Sequence, residues 1–212
     1  MTWSLQKLGP KISQGEQLCA AIKTLLHKNG TAIPELGKIF VSAGPGSYTG
    51  IRIGMATALG LSLVHHIPVI PVQTLPCLAL GAYKVIKNKS AIFLPLIKAQ
   101  KGQVSGSLIH FKDELPHPLV GTSTCTPQEW VEKISDNTNQ MVIIFGDGFL
   151  DFRSDFQNAL RALEVPFKTF PDSWKYHMPQ ANCLADLDSG GEGQGVHALH
   201  YPRSDLLEFK TS

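Results

Sequence analysis

Apolar residues recur at helical spacing between Gln14 and Lys28, where Leu18, Ala21, Ile22, Leu25 and Leu26 share one face. Ser13 offers an N-cap with Glu16 completing a capping box, and Asn29–Gly30 supplies a stop. The run 38–43 reads as a strand, and a second helix opens near Thr49 and ends near His65–His66. A strand at 68–73, a helix at 75–86 and a strand at 91–98 follow. This α-β-α-β-α-β order with short links predicts a layered α/β fold containing parallel strands. Only Ala99 to Gly102 separate the strand at 91–98 from another at 103–111, which predicts an antiparallel hairpin. A Pro- and Thr-rich loop is expected over 114–127, a helix over 128–135 and a strand over 140–146. Gly146-Asp147-Gly148 reads as a tight turn before a helix near 151–163. A short strand over 165–170 and a helix near 180–186 come next, then a flexible Gly-rich loop at 189–195 and an extended arm at 196–203. A strand over Thr2–Leu8 is the one element with room to precede the first helix. The polar break at 87–90 divides the chain into lobes of residues 1–88 and 89–212.

Composition narrows the class. The 212 residues are 43% hydrophobic and 17% charged, enough apolar material for a packed core and too much for a disordered chain. Pro, Gly and charges interrupt every apolar stretch before the roughly 20 residues a membrane span needs. The start, MTWSLQKLGPKISQGEQ, lacks the apolar core of a secretory signal. Net charge is +2 and no two Lys or Arg residues are adjacent, so a dedicated nucleic-acid groove is not expected. Cys19, Cys77, Cys125 and Cys183 include no C-x-x-C pair. Cys19, Cys77 and Cys183 lie in apolar helical patterns and each reads as a small buried thiol, in a reducing, cytoplasmic setting.

The chemistry-bearing stretch is 43–54, AGPGSYTGIRIG, which follows a strand and opens a helix. A phosphate loop is the first thought, but Gly44, Gly46 and Gly50 give GxGxxxG, and no Gly-Lys-Ser/Thr follows. Within the helix, Gly50, Gly54, Ala58 and Ser62 form a face almost without side chains, and Ile51, Met55, Leu59 and Leu63 line the next stripe. Arg52 is its one charge between Gly50 and Val64. Such a helix is expected to be buried on most sides. Its small face suits close helix approach, either inside the chain or at a protein interface.

The run AGPGSYTGIRIGMATALGLSL with the later IPVIPVQTL resembles the central motif of the TsaB (YeaZ) family. SQGEQLCAAIKTLL resembles that family's first helix, and PLIKAQKGQV the strand opening its second lobe, although Lys98-Ala99-Gln100 stands where Asp-Ala-Arg is common. The likeness is strong over about residues 13–104 and loose beyond, at FGDGF and HALHYPR. It implies the actin-like/Hsp70-like ATPase superfold, an α/β architecture of two RNase-H-like lobes. Family members place three strands, the first carrying Asp-Thr-Ser, before the first helix. By that comparison the first lobe lacks its N-terminal strands.

The resemblance also implies a role. The family supplies the non-catalytic partner of TsaD, which with the ATPase TsaE carries a threonylcarbamoyl group from threonylcarbamoyl-AMP, made by TsaC, to the tRNA adenosine beside the anticodon. Partner binding falls to Leu18, Ile22 and Leu25 on the first helix and Gly50, Ile51, Gly54, Met55, Ala58 and Ser62 on the second. Gly44, Pro45, Gly46, Ser47, Tyr48 and Thr49 form a structural turn. The catalytic paralogue carries an HxxxH metal pair after the following strand, and here Thr74 and Leu78 occupy those positions. Neither suits a metal, so no metal is expected. His65 and His66 point about 100° apart and read as a helix-end pair. No cofactor of the chain's own is implied, with a nucleotide at a subunit interface as the alternative. Contact with tRNA would be indirect, and a homodimer through the same face would serve when the partner is absent.

Other constellations read more simply. Asp147, Asp151 and Asp155 suit helix N-termini. Trp130, Trp174 and Tyr176 read as packing, with stacking of RNA on 174–177 the alternative. Two rival functions stay open: a glycoprotease-type metallopeptidase, opposed by the missing HxxxH, and a sugar- or acetate-kinase-like ATPase, opposed by the missing phosphate loops.

Overall fold

The computed structural model describes residues 14–100 and 102–188. The Ser13 cap, the strand at 2–8 and the readings for 189–203 lie outside the described residues. Helix α1, Gln14–Lys28, ends where Gly30, at φ +62°, closes its last turn and Asn29 Nδ2 donates to the Leu25 carbonyl at 2.7 Å. Strand β1 (Ile39–Gly44), helix α2 (Tyr48–His65), strand β2 (Val69–Gln73) and helix α3 (Thr74–Ile86) follow as the spacing predicts. β1 and β2 pair in parallel from Ile39↔Val69 to Ser42↔Val72.

The second sheet has five strands in the order β5-β4-β3-β6-β7. They are β3 (Ile92–Lys98), β4 (Val104–Lys112), β5 (Leu115–Cys125), β6 (Val142–Phe145) and β7 (Phe167–Lys168). β3 pairs antiparallel with β4, forming the predicted hairpin, and parallel with β6. β3 is covered on both faces, which explains its unbroken apolar run. Phe93 and Ile97 face α3 and helix α7 (Ala181–Asp188) among Leu75, Leu78, Tyr83 and Phe145. Ile92, Leu94 and Leu96 face helices α4 (Pro127–Asn137), α5 (Asp147–Asp151) and α6 (Arg153–Ala162), against Trp130, Phe149 and Phe156.

Three expectations change. The 114–127 segment is not a loop: most of it forms β5, paired with β4 from Lys112↔Leu115 to Val104↔Cys125. Pro116 and Pro118 argue against a central strand, and β5 is an edge strand, where a missing donor costs little. Asp147 does not sit in an open turn but begins α5, and the helix expected over 151–163 is the separate α6, from Arg153. Cys77 and Cys183 are buried as expected, whereas Cys19 is exposed. Burial pushes the Cys77 thiol up to about 12, so it stays protonated and inert.

One signal in the sequence went unread. Thr126-Pro127-Gln128-Glu129 is a capping box: Thr126 Oγ1 accepts from Glu129 N at 3.3 Å, and Glu129 Oε2 accepts from Thr126 N at 2.7 Å. That backbone bond is the main reason the Glu129 carboxyl is held below the usual carboxylate range.

The segment after β7 is fastened by His177, which is buried. Its Nδ1 accepts from Gly146 N at 3.0 Å, and its Nε2 lies 3.0 Å from the Pro171 carbonyl, which fixes the Nε2–H tautomer. Trp174 stacks on Phe170 at 3.9 Å and meets Phe145 edge-on, so 174–177 is packing. Burial pushes the His177 pKa below its ordinary 6.5. The folded state therefore holds this imidazole neutral, while the unfolded chain takes up a proton near pH 6.5. The stabilisation is complete above that pH and is lost as pH falls toward the depressed folded value. Urea midpoints at pH 7.5 and 5.5 are expected to differ more for the natural chain than for His177→Gln. Equal differences would contradict the assignment.

Candidate functional site on the outer face of the second helix

The turn ahead of α2 is shaped for helix entry. Gly44 lies at φ +104° in a cis peptide bond with Pro45. A Cβ on Gly44 would stand 3.3 Å from Ile51 Cδ1, and one on Gly46 3.6 Å from the same atom. These glycines thus admit the first turn of α2. Ser47 caps the helix, its Oγ accepting from Gly50 N at 3.2 Å. Tyr48 and Thr49 open α2 and both are exposed.

At 100° per residue the helix divides into two arcs. Gly50, Gly54, Ala58 and Ser62, with Ile51 and Met55 beside them, lie on the inward arc. Ala58 is 4% exposed, and a Cβ on Gly54 would meet Val41 Cγ2 at 3.5 Å. The small-residue face therefore packs inside the chain, against β1. α1 also lies against α2, with Leu18, Ile22 and Leu25 half-buried.

The outward arc runs through Tyr48, Arg52, Ala56, Leu59, Gly60, Leu63 and Val64. Leu63 is 76% exposed, Val64 70%, Tyr48 57% and Leu59 39%. The Arg52 guanidinium sits over the Tyr48 ring at 3.8 Å. A side chain on Gly60 would meet nothing within 4 Å. The expectation of a helix buried on most sides fails within this chain, because Ala58 is its one fully buried residue. Apart from Arg52, the exposed side chains of this arc are apolar or aromatic.

The position of the paralogue's metal pair is filled by packing. Thr74 Oγ1 lies 2.6 Å from Ser42 Oγ, joining α3 to β1, and Leu78 is in the core. His65 lies in the last turn of α2, and His66, at φ +54°, terminates it. Asp147 Oδ1 accepts from Lys98 N at 3.1 Å, Asp151 pairs with Lys98 Nζ, and Asp155 lies in the first turn of α6. Among the described residues no group of three or more His, Cys, Asp and Glu is placed to hold a metal ion. No described helix is long and apolar enough to cross a membrane.

Comparisons with known proteins agree with this architecture. A family model described as TsaD, tRNA N6-adenosine threonylcarbamoyltransferase, matches residues 13–148. The tRNA threonylcarbamoyladenosine biosynthesis protein TsaB of Bacillus subtilis is 28% identical over 179 residues, covering 84% of this chain and 74% of that protein. TsaB of Escherichia coli is 35% identical over 89 residues, 42% of this chain and 38% of the relative. The crystal structure of a Pseudomonas aeruginosa protein similar to peptidase YeaZ superposes with a TM-score of 0.66 at 20% identity, over 85% of this chain and 76% of that one. The actin-like α/β fold expected from the sequence is thus the fold observed. The chain belongs to the TsaB (YeaZ) family, and the family model described as TsaD spans residues 13–148 of it.

Proposed function

We propose that this chain serves threonylcarbamoyladenosine formation in tRNA as a non-catalytic subunit that docks and stabilises a TsaD-like transferase. The observation that carries this reading is the outward arc of α2, whose apolar side chains are left exposed among the described residues. Helix α1 lies against α2. The reading takes α2 as the inserted element, with Leu59 and Leu63 as the ridge and Gly60 as the notch for a facing helix. Thr74 and Leu78 at the metal positions favour a supporting role over catalysis. A TsaE-like ATPase joins the same assembly, the larger complex makes the tRNA contacts, and a second copy occupies the face when the partner is absent. The site of action is the cytoplasm.

The test is co-purification with the TsaD-like subunit of the same organism, followed by measurement of threonylcarbamoyladenosine in a depleted strain. A Leu59→Glu/Leu63→Glu variant is expected to weaken the heterodimer by about 100-fold or more, as for central apolar anchors. Both residues are exposed in the single chain, so the variant should stay folded. Undiminished affinity, with modification restored, would refute docking through this arc.

A further inference from the structure

The β4–β5 hairpin carries a pair of side chains that partner docking does not use. His110 and His117 stand directly opposite each other in the antiparallel register. Their rings face one another with centroids 5.6 Å apart and planes within 17°. Both are half-buried, and no other group engages either ring among the described residues. Two features fix the backbone beneath them. Pro116 and Pro118 flank His117 and restrict its strand, and the two-residue turn Asp113–Glu114 locks the register. The charged groups nearest in sequence are Lys112 and the exposed Asp113 and Glu114, a net negative tip.

We propose that His110 and His117 form a two-histidine site for a borderline divalent transition metal of the Zn2+, Ni2+ or Cu2+ class. Imidazole nitrogens bind such ions at about 2.0–2.1 Å, which sets two chelating nitrogens about 3.3 Å apart. Rotation of the rings about their side-chain bonds turns the in-plane lone pairs toward one point, and the half-open position lets water complete the coordination. The bound ion ties edge strand β5 to β4. Hard cations such as Mg2+ are excluded, because the pair offers no oxygen ligand.

The experiment is titration of the untagged full-length chain with NiCl2 at pH 7.5 by calorimetry, with thermal melting in parallel. One equivalent is expected to bind and raise the melting temperature, as any ligand of the folded state does. His110→Gln and His117→Gln are each expected to weaken that equivalent by at least about 10-fold. A His65→Gln/His66→Gln control should leave it unchanged. Copper loading gives an independent readout: electron paramagnetic resonance should show hyperfine coupling to two nitrogens, lost in either hairpin variant. Absence of saturable binding, or binding that survives both hairpin variants, overturns the proposal.

Discussion

Replacing Gly146 by alanine is expected to destabilise the fold by more than about 4 kcal/mol, enough to abolish it in a domain of ordinary stability. Gly146 lies at φ +112° and ψ 165°, a region essentially reserved for glycine. An added Cβ would stand 2.0 Å from the Leu96 carbonyl oxygen and 2.9 Å from its carbon. No side chain can rotate away from that collision, since both parties are backbone. Gly148 repeats the demand, its Cβ falling 2.7 Å from the carbonyl carbon of Ile97. The two glycines let the start of α5 cross the carboxyl end of β3 in direct contact. Gly102→Ala is the control, at φ +72° but with open space around it, and should cost roughly 1–2 kcal/mol. Urea denaturation followed by tryptophan fluorescence would distinguish them. Equal losses for Gly102→Ala and Gly146→Ala would show that the close approach is unimportant.

Trp130→Ala is expected to cost roughly 3–5 kcal/mol. The indole is fully buried, and its Nε1 donates to the Val104 carbonyl at 3.1 Å. It lies over Gly106, where an added Cβ would sit 3.0 Å from Trp130 Cζ2. Truncation opens a cavity between α4 and the sheet and strands a buried carbonyl acceptor. Trp130→Phe refills much of the volume but not the hydrogen bond, so it should lose less than half as much in the same denaturation assay. If the two variants lost equal stability, the hydrogen bond rather than the volume would dominate.

Most of the fold could be read from residue order because its central strands are apolar throughout. β3 and β6 are covered on both faces, and no alternation was needed to recognise them. β5 was missed because its prolines mimic a loop, and only its edge position makes them tolerable. The site was half legible. The turn ahead of α2 and its limits followed from the Gly/Pro run at 44–46 and the His65–His66 end. The direction of its faces did not, because a helix without a polar side has nothing in its own pattern to orient it. The contact between Gly54 and Val41 settles that question, and it comes from packing. His177 was illegible for a related reason: its partner is a backbone N–H contributed 31 residues earlier.

The edges of the second sheet bear on how the chain avoids unwanted strand pairing. β7 is two residues long, and β5 carries two register irregularities besides Pro116 and Pro118. Proline at alternate positions removes successive donors from one side of that strand, so an incoming chain finds a broken template. Open-ended strand addition, the route to fibres, is thereby obstructed at both margins. An assembly built through α2 instead closes once its two helical faces meet. The same chain can thus leave the apolar side chains of α2 exposed while denying its sheet the means to polymerise.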